Sequence, residues 1–110
     1  MNQPLIDIFK RLSFETENGI KEYIFSTEYL GRNKTYFSYL KSSGKKVSAG
    51  CLLHLWTKLN GKRNAYQEAY NRAVQNGQAT SWQTLGMKER IELYDDLSSQ
   101  AYEAITEYHK

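Results

Sequence analysis

Eight basic residues, Arg32, Lys34, Lys41, Lys45, Lys46, Lys58, Lys62 and Arg63, fall within 39 residues between Glu28 and Glu68 that contain no Asp or Glu. Cations gathered without counter-charges suit a polyanion, and polyphosphate is the commonest partner of such a surface. The flanks have the opposite sign: residues 1–28 sum to −2, the block to +8 and residues 68–110 to −3, which gives the overall +3. A solvated lysine-rich face has the same composition, so charge alone leaves both readings open. Other chemistries lack the residues they need. Two histidines, His54 and His109, and one cysteine, Cys51, give no zinc-ligand spacing. There is no GxxxxGK[ST] phosphate loop and no GxSxG turn. Asp95 and Asp96, near Glu92, have Lys88 and Arg90 close by, the pattern of a solvated acidic face rather than an acid–base pair. No catalytic residue, metal site or cofactor is expected, and the chain reads as a non-enzyme.

The elements that must position the basic block are helical. Leu5, Ile8, Phe9 and Leu12 recur at helical spacing after Pro4, which predicts a first helix over 4–13. Thr16 to Gly19 reads as a turn, and Ile20, Ile24 and Phe25 lead into a short helix ending at Leu30-Gly31. Asn33 is an N-cap for a helix over 34–41 that turns Phe37 and Leu40 inward, and Ser42-Ser43-Gly44 stops it. Ser48 caps a helix with Leu52, Leu55, Trp56 and Leu59 inside, closed by Asn60-Gly61. A further helix over 62–76 carries Tyr66, Ala69, Tyr70, Ala73 and Val74 and ends at Gly77. Trp82 and Leu85 fall in a connector. Met87, Ile91, Tyr94, Leu97, Ala101, Ile105 and Tyr108 then mark the longest helix, whose seam suits either the 62–76 helix or a second copy of the chain. Alternating strand patterns are nearly absent, so the fold class is all-α. At 110 residues, one domain is expected over 1–110. The most apolar stretch, Cys51 to Trp56, is far too short to span a bilayer, so a cytoplasmic protein without a membrane partner is expected.

A second helix held by a first can lay its N-terminal half in the major groove of DNA, provided its inward residues are apolar and its outward ones polar. With Phe37 and Leu40 inward, the outward set is Lys34, Thr35, Ser38, Tyr39 and Lys41. Lysine can donate to guanine O6 and N7, and Thr and Ser offer hydroxyls to several base edges. The segment from Phe25 to Leu59 is similar to the helix-turn-helix core of the Cro and λ-repressor-like DNA-binding family. The resemblance lies in the Phe25-Ser26 pair, Tyr29-Leu30-Gly31 at the end of the first helix, the Asn33 cap, inward Phe37 and Leu40, the Gly44-Lys45-Lys46 turn and the Ser48-capped leucine-rich helix. It departs from the family pattern in two places. Leu30 and Gly31 stand where a single glycine is common, making the turn one residue longer, and Arg32 occupies a usually apolar position.

The resemblance implies a five- to six-helix λ-repressor-like core over 3–60 with a C-terminal helical extension over 62–110. It implies base reading by Lys34, Thr35, Ser38 and Tyr39, and phosphate contact by Arg32, Asn33, Lys41, Lys45 and Lys46. The expected partner is double-stranded DNA, and the expected role is that of a small bacterial or phage transcriptional regulator. A homodimer through 87–108 would match the two half-sites that such proteins address. Two other readings stand beside it: a helical protein-interaction or inhibitor module without DNA readout, whose tyrosines and acidic last helix would meet a protein partner, and RNA binding through stacking tyrosines.

Overall fold

The computed structural model describes residues 2–15, 19–77 and 82–108, and among them every regular element is a helix. The order is α1 (Gln3–Glu15), α2 (Glu22–Ile24) running directly into a π-helical segment (Phe25–Tyr29), α3 (Tyr36–Ser43), α4 (Ala49–Gln75) and α5 (Trp82–Tyr108). The all-α expectation holds. The Thr16–Asn18 part of the expected first turn, and His109, lie outside the described residues. No helix is long and apolar enough to cross a membrane among the described residues.

α1 forms where its periodicity placed it, because Leu5, Ile8 and Leu12 share one stripe and are all buried. Its partly buried Phe9 sets its ring 5.2 Å from Phe25 and 4.8 Å from Phe37, joining α1 to the π-segment and α3 through one aromatic cluster. Tyr29 stacks on Phe25 at 5.7 Å, and Leu40, Leu52, Leu55 and Leu59 complete the core around them. Ser48 caps α4 as expected: its Oγ accepts from the Cys51 backbone N–H at 3.2 Å.

The expected stop at Asn60-Gly61 is absent, and the helices expected over 48–59 and 62–76 are one 27-residue element. The reason is energetic. A mid-helix glycine costs about 1 kcal/mol relative to alanine, whereas burying one leucine such as Leu59 gains roughly 1.5–3 kcal/mol. Packing on both sides of Gly61 therefore outweighs the local signal. The chain does turn where Gly77 adopts φ 77°, which a glycine reaches without the strain of a Cβ.

α5 begins at Trp82, so Trp82 and Leu85 belong to its first turns rather than to a connector. It returns antiparallel along α4: Tyr66 stacks on Tyr94 at 5.7 Å and 12°, the Arg63 Nε lies 2.9 Å from Asp95 Oδ1, and Trp56 meets Tyr102 at 6.4 Å. An Arg11–Asp96 ion pair ties α1 to the same helix. Tyr94, Leu97 and Ala101 of the expected seam are buried within the chain, with Leu93 beside them. Of the two expected uses of this seam, packing within the chain and a possible homodimer, the fold displays the first at Tyr94, Leu97 and Ala101. The 60–62 division expected between core and extension falls inside α4.

Candidate nucleic-acid interface

The segment between α2 and α3 takes up its extra residue as a wide turn. Leu30 N–H donates to Phe25 O and Arg32 N–H to Ser26 O, both at 3.0 Å, and Gly31 sits at φ 65° between them. One inserted residue widens the helical ring to the π form, a rare geometry that needs support from its surroundings. Two polar contacts supply it. The Ser26 hydroxyl, fully buried, accepts from the Phe37 backbone N–H at 3.0 Å and so satisfies one of the orphan donors of α3. His54 of α4 donates from Nδ1 to Tyr29 O at 2.9 Å, closing an orphan carbonyl. Its ring also stands where a Cβ on Gly31 would come within 2.8 Å, so two constraints fix that glycine.

Arg32, expected at phosphate, is exposed and also bonded within the chain. Its Nε donates to Cys51 Sγ at 2.8 Å, an NH₂ group reaches Ser48 Oγ at 3.3 Å, and the guanidinium lies 5.8 Å from the Tyr36 ring centroid. Burial, and then the neighbouring Cys51 thiol, push the Tyr36 hydroxyl pKa up. The arginine is a strut from the turn to the start of α4. Lys41, also expected at phosphate, is exposed; its Nζ pairs with Glu22 Oε2 at 2.7 Å and lies 5.1 Å from the Phe37 ring centroid.

Asn33 does not cap the helix directly, which corrects the N-cap expected of it. Its Oδ1 accepts from both the backbone N–H and the hydroxyl of Thr35, at 3.1 and 2.9 Å. This is an Asx turn, the local alternative that Asn offers the backbone. It delays α3 until Tyr36, so Lys34 and Thr35 precede the helix instead of lying on it. α3 then runs on to Ser43, past the expected end at Lys41, and stops at Gly44, φ 71°.

Phe37 and Leu40 are buried, as expected. Thr35, Ser38, Tyr39 and Ser42 are all exposed and follow the i, i+3, i+4, i+7 spacing of a single stripe opposite them. Lys34 is exposed at its N-terminal edge. Ser42, read from sequence only as part of a stop, belongs to this stripe, although its hydroxyl donates back to Tyr39 O at 3.2 Å. At the far end, Lys45 sets its ammonium 5.9 Å from the Tyr39 ring centroid, and Lys46 is exposed beside it. The loop bearing both lysines is pinned by Asn2, whose Nδ2 donates to Lys45 O at 2.6 Å while its Oδ1 accepts from the Val47 N–H at 3.0 Å. Asn2 carried no signal in the sequence, because its partners lie some 45 residues away.

Lys34, Thr35, Ser38, Tyr39, Lys45 and Lys46 are thus all exposed on or beside α3, and so are Arg32, Asn33 and Lys41, which also bond within the chain. Such residues can offer hydroxyl and ammonium groups to base edges and phosphates. A protein-family model described as "Family of unknown function (DUF6626)" matches residues 17–105. No curated protein and no solved structure matches the chain.

Proposed function

The chain belongs to the DUF6626 family of unknown function, and we propose that it is a sequence-specific double-stranded DNA-binding protein, a small transcriptional regulator of the bacterial or phage kind. The observation that carries this reading is the exposed stripe of Thr35, Ser38, Tyr39 and Ser42 between Lys34 and the Lys45–Lys46 loop, with no acidic residue from 29 to 67. The resemblance of 25–59 to a helix-turn-helix core supports it, and so does the order of a partly buried π-segment, a fixed turn and a short helix with one exposed face. In this reading Lys34, Thr35, Ser38 and Tyr39 meet base edges, and Lys45 and Lys46 position the backbone.

Selection from random duplex DNA, followed by titration at two salt concentrations, tests it. A consensus should emerge, and binding should weaken steeply with salt. Lys34→Ala or Thr35→Ala should relax preference at particular bases, whereas Lys46→Ala should weaken all sequences alike. No consensus and no duplex binding would remove the proposal.

A second reading, a protein-interaction module, draws on Phe14, Trp82 and Tyr102, exposed at 89%, 90% and 57%. Capture of a protein partner that survives Lys34→Ala and fails with Trp82→Ala would favour it.

A further inference from the structure

The second half of the acid-free block has no part in the α3 surface. Arg63 is already paired with Asp95. Lys58 and Lys62 have no carboxylate partner among the described residues. With His54 they recur every four residues, which puts all three along one stripe of α4. Thr57, Gly61 and Ala65 line the same shallow groove, and none of its residues is acidic. Its floor is low, because a Cβ added at Gly61 would meet nothing within 4 Å.

This groove is continuous with the turn that precedes α3. His54 stands over Gly31 and bonds Tyr29 O, and the Lys62 ammonium lies 5.7 Å from the Tyr29 ring centroid. From His54 to Lys62 the stripe is about 12 Å long. The charged residues that line it are Lys58 and Lys62, whereas α5 carries Glu89, Glu92, Asp95, Asp96, Glu103 and Glu107. A narrow cationic track without acids or base-reading hydroxyls suits a sugar-phosphate backbone, which binds by charge neutralisation and counterion release.

We propose that the His54–Lys58–Lys62 stripe of α4 is a second docking surface for the backbone of duplex DNA, flanking the segment met by α3. The proposal rests on the DNA-binding reading and extends it from the turn onto the long helix. The stripe adds affinity and salt dependence without adding sequence information.

The test is a salt titration of duplex binding by the full chain on its selected sequence. The variants are Lys58→Gln/Lys62→Gln, Lys58→Arg/Lys62→Arg and, as a charge-matched control on exposed positions of α1 and α5, Lys10→Gln/Lys88→Gln. Circular dichroism verifies that each is folded. The Gln pair at 58 and 62 should make the slope of log affinity against log salt shallower by about 2, so the loss of affinity between about 50 and 200 mM salt shrinks about tenfold. Base preference should not change, and the Arg pair and the control should keep the original slope. An unchanged slope, or an equal change in the control, overturns the stripe while leaving the α3 reading intact. Loss of self-association in place of DNA affinity assigns the stripe to an acidic face of a second copy and also overturns it. Absence of duplex binding by the unmodified protein removes both.

Discussion

The turn region around α3 and the distal hairpin, made of the second half of α4 and the first half of α5, are held together by different forces. Around α3 the chain makes short helices and loops, so many backbone groups have no helical partner, and side chains from distant positions close them: Ser26 on Phe37, His54 on Tyr29, Asn2 on Lys45 and Val47. In the hairpin nearly every backbone group is satisfied inside its own helix, and side-chain packing carries the association, with Tyr66 on Tyr94 at its centre. Directional bonds fix positions to within the tolerance of a hydrogen bond, whereas an apolar seam tolerates substitution of similar volume. The region proposed to read bases is thus the one built from directional bonds.

Two glycines make this contrast measurable. Gly31→Ala adds a Cβ at φ 65° against the His54 ring, and we expect it to cost about 2–3 kcal/mol in chemical denaturation, combining left-handed strain with a displaced histidine bond. A cost below about 0.5 kcal/mol would mean that the turn region is as tolerant as the hairpin. Ser26→Ala should follow at about 1–2 kcal/mol, because it leaves the Phe37 N–H buried without a partner. Gly61→Ala should act in the opposite direction, stabilising by about 0.5–1 kcal/mol, since it lies in a helix with open space around it. If Gly61→Ala destabilised the protein, α4 would not be the uninterrupted element described above.

The smallest effect sharpens the junction between the two regions. Burial, and then Tyr94, push the Tyr29 hydroxyl pKa well above the usual phenol range, and burial followed by Tyr66 raises that of Tyr94. Their stabilising contribution is complete below pH ~10, where the unfolded tyrosines are also protonated. Above it the unfolded chain releases protons that the folded chain keeps, so stability falls as pH rises. Denaturation at pH 9 and 11 should display this fall, and Tyr94→Phe should flatten it.

Periodicity made much of the fold legible. The stripe of α1, the inward Phe37 and Leu40, the Ser48 cap and the Gly44 and Gly77 stops are each local signals, decided by residues within a turn of one another. Asn60-Gly61 misled because its preference is weaker than the packing on either side of it. Asn33 misled differently: a cap and an Asx turn use the same side-chain oxygen, and only the surrounding chain decides between them. The exposed stripe was largely readable, since it is what remains after the apolar residues of α3 turn inward. The framework behind it was not. Arg32 with Cys51 spans 19 positions and His54 with Tyr29 spans 25, and nothing local marks either partner. For the same reason the charges of Arg32 and Lys41 looked unpartnered in the sequence and have partners within the chain.

α4 has one more consequence. A helix of 27 residues is about 40 Å long, and it starts beside the lysine loop and ends at the hairpin tip. With no break at Gly61, the two regions share a strut rather than a linker. Twisting one against the other would require breaking rungs of the helical ladder and parting the seam with α5. The C-terminal end of α4 is therefore carried at a set distance and angle from the exposed face of α3, like the far end of a lever whose short arm lies at the turn.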